Sequence, residues 1–408
     1  MRFQSWGAGI IFRQADSLVS LSGHAFSFMK TSSFNITLPV FVLAVSISIN
    51  LSHAQTTASP APASNINQPT LPAPTPYTVV ARDAHSAIWE RTTYELSPSG
   101  QVVPRQHRYT ELATGLNYQA NGQWVPSKQE IDILSDGTAA ATQGQHQVYF
   151  PGDIAQGVIT LNTPDGLKLQ SRPIALGYDD GSNTVLIAVL TNSVGSLIGS
   201  NQVIYPNAFA GLRADLLYTY TRAGFEQNIV LEEQPPLPES FGLNSQTSRL
   251  QAITEFFNSP SPVVVKSKAL PAQAGMVLTN ETLTFGTMRM PPGRAFLLGT
   301  AGKYAGAGVA KQWLNVEGRQ LLVEEVPVEA VAAGLLQLPA QQTMSTRISP
   351  DSPLHVVSAK RLLPPQRLVK TSPDKGPRIQ IAQVAAPAHG LVLDYQIPSQ
   401  LAYALQRK

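Results

Sequence analysis

Residues 214–232 read ADLLYTYTRAGFEQNIVLE, and their alternation decides the class of fold. Leu216, Tyr218 and Tyr220 fall on one face of a period-2 run, with Asp215, Leu217 and Thr219 on the other. After Ala223-Gly224 a second run follows, in which Gln227, Ile229 and Leu231 alternate with Asn228 and Val230. Successive side chains of an extended strand point to opposite faces, so two such runs around a glycine-containing break predict a β-hairpin. Apolar residues on both of its faces place it inside a stack of sheets, as in the middle of a sandwich.

The same pattern extends in both directions. Asn121-Gly122 joins Leu116–Tyr118 to Gln123–Val125. Both central positions of the tight hairpin turn need positive φ, which Asn and Gly tolerate. Thr163-Pro164-Asp165-Gly166 and Asp179-Asp180-Gly181-Ser182 punctuate apolar runs in the same way. Further strands are predicted at Val263–Lys266, Thr282–Phe285, Arg294–Leu298 and Gln320–Val326. Two short helices interrupt them. Ser248–Asn258 sets Leu250, Ile253 and Phe257 on one stripe, and Pro327–Leu338 does the same with Val328, Val331 and Leu335. The reading is an all-β antiparallel sandwich with two short helices, over residues 77–342, with a subdomain break placed near 240–262. A Pro-rich linker at 343–377 and a strand pair within 378–408 follow.

The N-terminal part carries an address. Met29-Lys30 is a short positive segment, Ile36–Ile49 an apolar one, and Ser52-His53-Ala54 a small-x-small site that sets cleavage between Ala54 and Gln55. That order is the signal-peptide pattern, and the apolar run is too short to span a bilayer. Residues 1–28 precede a complete signal, so translation is expected to start at Met29. Residues 55–76, rich in Pro, Ala, Ser and Thr, read as a semi-rigid spacer. The chain is thus expected outside the cytoplasm, secreted or at the cell surface.

Composition agrees with that address. Of 408 residues only 13% are charged and none is cysteine, which removes disulfides and thiolate chemistry. The net charge is +3, and the densest basic stretch, Lys360–Lys370, lacks interleaved aromatics, so no nucleic-acid partner is expected. No run of 18 apolar residues occurs, so no helical membrane span is expected.

Gly122-Gln123-Trp124-Val125, Gly144-Gln145-His146, residues 201–231, Leu250–Phe257 and Gly318–Pro327 together resemble an uncharacterised N-terminal module of very long secreted bacterial proteins. Some of these carry Rhs-type or β-helical repeats downstream. The resemblance covers about residues 110–395, in long fold-like strings with no catalytic signature. It implies a module of a larger surface architecture and carries over no functional residue. Such chains continue beyond a strand like Leu391–Tyr395, whereas this one reads SQLAYALQRK from Ser399, which implies a truncated member.

Candidate chemistry is sparse. His146, His355 and His389 lack partners at metal-ligand spacing, and no metal or cofactor is expected. The glycine-rich run Gly299–Gly308 lacks phosphate-loop spacing. Trp124, Tyr205, Arg213, Asp215 and Tyr218 are the candidate ligand-binding residues: rings that can stack on sugars, and a charged pair on one side of a strand. The competing reading makes the rings core and the charges a strand-end ion pair. Glu226, Glu232 and Glu233, with Asp215, offer a carboxylate pair to a glycosidase if their separation suits. The leading expectation is a non-enzymatic interaction module whose partner is a cell-surface polysaccharide or another surface protein. A carbohydrate-binding module and a polysaccharide hydrolase are the alternatives.

Overall fold

The structure is a computed structural model. It describes residues 70–267, 275–298, 306–341, 377–381, 387 and 389–398, and the backbone of Ile11–Arg13. The signal segment, the spacer up to residue 69 and nearly all of the 343–377 linker therefore lie outside the described residues. The chain divides into two compact units, a larger one holding residues 79–88 and 110–408 and a smaller one holding 12–78 and 89–109.

The fold is all-β. In the larger unit β1 (Gln147–Phe150), β2 (Ile159–Asn162), β3 (Lys168–Asp179) and β4 (Thr184–Leu190) follow one another through hairpins. Next come β5 (Gln202–Tyr205), β6 (Ala214–Tyr220), β7 (Gly224–Leu231) and β8 (Arg249–Phe256). Then β9 (Gly293–Leu297), β10 (Ala307–Val316) and β11 (Arg319–Pro327) lead into α1 (Val328–Leu335), and β12 (Leu391–Pro398) closes the order. Their spatial sequence is β1-β2-β3-β8-β11-β10-β9-β12-β7-β6-β5, every neighbour antiparallel.

That strip curls until its ends meet. Gln380–Ile381 runs parallel to Ser196–Ile198, which flanks β5, and Ile379 N–H donates to Gly137 O next to Ala139–Ala141, which flanks β1. The expectation of an all-β chain is met, and its strands form a barrel-like sheet. β10 is the corner strand: its first residues pair with β9 and its remainder with β11.

The predicted hairpin at 214–232 is present as β6 and β7, in register from Ala214↔Leu231 to Tyr220↔Phe225. Leu216, Tyr218 and Tyr220 point inward and are fully buried. The Tyr218 ring stacks on Phe225 at 5.6 Å, with Tyr205 and Phe150 edge-on at 6.0 and 6.1 Å. Each buried hydroxyl finds an acceptor: Tyr205 donates to Pro151 O, Tyr220 to His146 O and Tyr218 to Gln227 Oε1. Burying an aromatic ring contributes about 1.5–3 kcal/mol, and pairing its hydroxyl keeps that gain from being offset.

The Asn121-Gly122 turn forms as expected, with φ of 52° and 77°, between Asn117–Ala120 and Gln123–Pro126. The helix predicted at 248–258 does not form. Those residues are β8, a central strand held between β3 and β11. Leu250, Ala252 and Phe256 join the interior core, while Ile253 joins Ile174 and Leu321 on the opposite face. Leu250 and Ile253, which a helix would set on one stripe, go to opposite faces, and the buried polar residues Gln251 and Glu255 are held by Glu325 and Arg319. The second helix is α1, which buries Val328, Val331 and Leu335 as predicted, with Pro327 just before it.

Charges are also drawn inside. Lys311 and Glu324, cross-strand neighbours on β10 and β11, form a fully buried ion pair at 3.0 Å, and Lys311 N–H donates to Asn280 Oδ1. On the other face Arg319 grips Glu255 with two bonds of 2.7 and 2.6 Å. The final strand pair is not a pair. β12 inserts between β7 and β9, and Gln380–Ile381 joins Ser196–Ile198.

Candidate functional site

Four of the candidate residues, Arg213, Asp215, Glu232 and Glu233, lie where β6 begins and β7 ends. Asp215, the second residue of β6, is 4% exposed, and its Oδ1 accepts the Asn207 N–H at 2.7 Å. Asn207 adopts a left-handed φ of 46° in the turn ahead of β6. Desolvation, with the Glu232 carboxylate acting on it in the same direction, pushes the Asp215 pKa up to about 7. Arg213 does not pair with Asp215, as its side of the strand suggested. Its N–H and Nε donate to the two carboxylate oxygens of Glu233, both at 2.9 Å. The cation is thus taken by Glu233, not by Asp215.

An open cleft of about 550 Å³ adjoins this cluster. Arg213, Glu232 and His389 supply its ionisable wall, and Leu297, Leu338 and Pro339 its apolar wall.

The ring candidates separate. Tyr205 and Tyr218 are fully buried in the barrel core, so neither presents a face to a ligand at the surface; the core reading holds for them. Trp313 likewise packs edge-on against Phe256 and Phe285, at 4.9 and 5.7 Å. Trp124 sits half-buried in the two-stranded sheet of Asn117–Ala120 and Gln123–Pro126, apart from Arg213 and Asp215 in the ladder order. His146 is buried among rings, 4.9 Å from Tyr220, and desolvation lowers its pKa to about 4.

A second surface lies in the smaller unit, on residues that sequence reading did not assemble. Tyr77, Trp89 and Tyr109 are half-buried, each on or beside a different strand of one sheet. The Trp89 and Tyr109 rings are nearly parallel, 6.0 Å and 9° apart, and Tyr77 meets Tyr109 edge-on at 4.9 Å. The Arg91 guanidinium lies 4.7 Å over the Tyr77 ring. Around them Thr93 bonds His107, and Arg105 and Arg108 pair with Glu95 and Glu90. The available signal was the alternation of Trp89, Arg91 and Thr93; bringing Tyr109 beside it requires the strand pairing, which residue spacing does not contain.

Comparison of the chain with family models, with curated proteins and with solved structures finds no match. Among the described residues no helix is long and apolar enough to cross a membrane, and no cluster of three or more His, Asp or Glu is arranged to hold a metal.

Proposed function

We propose that the chain is an exported recognition module, non-enzymatic, that engages a partner at the cell surface through the aromatic face of the smaller unit. One observation carries the reading: Tyr77, Trp89 and Tyr109, with Arg91, form a contiguous half-exposed patch on strands. Tyr, Trp and Arg dominate binding hot spots because they bury much area at little entropic cost and keep a polar tip. The signal pattern at residues 29–54 supplies the address, and the resemblance to the N-terminal module of long secreted proteins supplies the wider architecture.

The near-parallel Trp89 and Tyr109 rings favour a polysaccharide as the partner, since a flat ring pair offers a platform for the apolar face of a sugar. The test is binding of the full chain, and of Trp89→Ala and Tyr109→Ala, to a panel of bacterial surface polysaccharides. A loss of about 30-fold or more in either variant, with unchanged thermal unfolding, supports the reading. Binding that survives both substitutions overturns it. A wild-type chain that binds no glycan but captures a surface protein through the same rings would leave the module and remove the sugar.

A further inference from the structure

We infer that Arg172 binds a halide ion on the edge of its guanidinium formed by Nε and Nη2. The site is a property of the larger unit alone. Arg172, on β3, is fully buried. The turn at residues 153–157 folds over it, and Asp153 shapes that turn. The Asp153 main-chain oxygen accepts the Gln156 and Gly157 N–H groups, and its Oδ1 accepts the Ala155 N–H. With those N–H groups drawn to Asp153, the Ala155 and Gly157 carbonyls are aimed at Arg172. Both accept from its Nη1, at 2.6 and 3.3 Å. The Phe257 ring lies 5.3 Å from the guanidinium carbon. The remaining nitrogens, Nε and Nη2, are buried and have no hydrogen-bond partner among the described residues.

Nε and Nη2 form the fork with which a guanidinium takes an anion through two parallel bonds. Arg319 has that same fork filled: its Nε and Nη2 hold the two oxygens of Glu255 at 2.7 and 2.6 Å. Glu255 is the cross-strand neighbour of Arg172 and the carboxylate that acts on it, yet both of its oxygens are given to Arg319. Two guanidiniums therefore share one carboxylate, and the charge left over sits on the fully buried one. A buried charge without a counter-ion is strongly destabilising. One singly charged anion on the free fork satisfies both donors and cancels the excess charge. A water molecule there would satisfy the donors and leave the charge. Burial decides the size of the anion. Arg172 has no exposed surface, so a carboxylate or phosphate carried on a larger molecule cannot reach the fork, whereas a lone halide can be enclosed as the 153–157 turn closes.

The probes are sodium chloride and sodium gluconate at a fixed ionic strength of about 0.2 M, read by urea unfolding of the full chain. An anion that binds the folded state alone raises the midpoint, and gluconate is too large for an enclosed fork. The wild type should unfold at higher urea in chloride than in gluconate. Lys168→Met, which removes an exposed cation from the same strand, should keep that gap, and Arg172→Met should lose it. Should Arg172→Met fail to fold, wild-type crystals soaked in bromide take its place, with the bromide anomalous signal expected within hydrogen-bond reach of Arg172 Nε and Nη2. A wild type indifferent to the exchange of anions, a gap that survives in Arg172→Met, or water in place of bromide on that fork would overturn the halide site.

Discussion

Asp215 and His146 respond to acid in opposite directions, and the fold contains both. The folded Asp215 pKa of about 7 lies above its ordinary 3.8, so the folded state binds the extra proton. Its stabilising contribution is complete below about pH 4 and is lost as pH rises through 7. His146 falls from 6.5 to about 4, so the unfolded state binds the extra proton and stability is lost as pH drops through that window. Between about pH 4 and 6.5 the two slopes, each up to about 1.4 kcal/mol per pH unit, oppose one another. Urea midpoints of the wild type should be nearly flat there and decline above it. Asp215→Asn should unmask a midpoint that rises with pH up to about 6.5, and His146→Phe one that falls from about pH 4 to 7. Midpoints that track the wild type in both variants would refute this pairing. Neither pKa was legible in the sequence. The desolvation of His146 follows from its burial just ahead of β1, and the upward shift of Asp215 follows from its burial where β6 begins.

At the scale of elements, the readable strands are those with one buried and one mixed face. β6, β7 and the turns at Asn121-Gly122 and Thr163–Gly166 follow from alternation and from positive-φ residues, and the structure contains them. β8 was hidden because Leu250, Ile253 and Phe257 recur at helical spacing, whereas the strand sends Leu250 and Ile253 to opposite faces and ends at Phe256. The buried pair that joins β10 to β11 gives a test of how these strands are held. Lys311→Met alone leaves Glu324 charged inside the core and should cost about 3–5 kcal/mol by chemical denaturation. Adding Glu324→Leu should recover most of that loss, since an apolar pair of similar volume needs no solvation. A double variant no more stable than the single one would show that the pair does more than neutralise itself.

At the scale of the whole molecule, the all-β class was legible and the closure was not. Pairings such as β12 with β7 and β9 join residues far apart in the chain, and nothing local in either strand encodes them. The sequence left the strand signals after residue 378 as a lone pair seeking a partner; they find separate partners, on either side of the closure. Replacing Leu391 and Leu393 by Asp should therefore open the sheet and expose the edges of β7 and β9, seen as soluble aggregates in size-exclusion chromatography, whereas Ala at both sites should yield a destabilised monomer. The insertion of β12 also sets an order of events during synthesis. Until Leu391–Pro398 leaves the ribosome, β7 has only β6 beside it and β9 only β10, so the nascent chain cannot complete its sheet. A chain built this way carries two open sheet edges for as long as residues 391–398 are missing, and its barrel-like sheet closes only once they are in place.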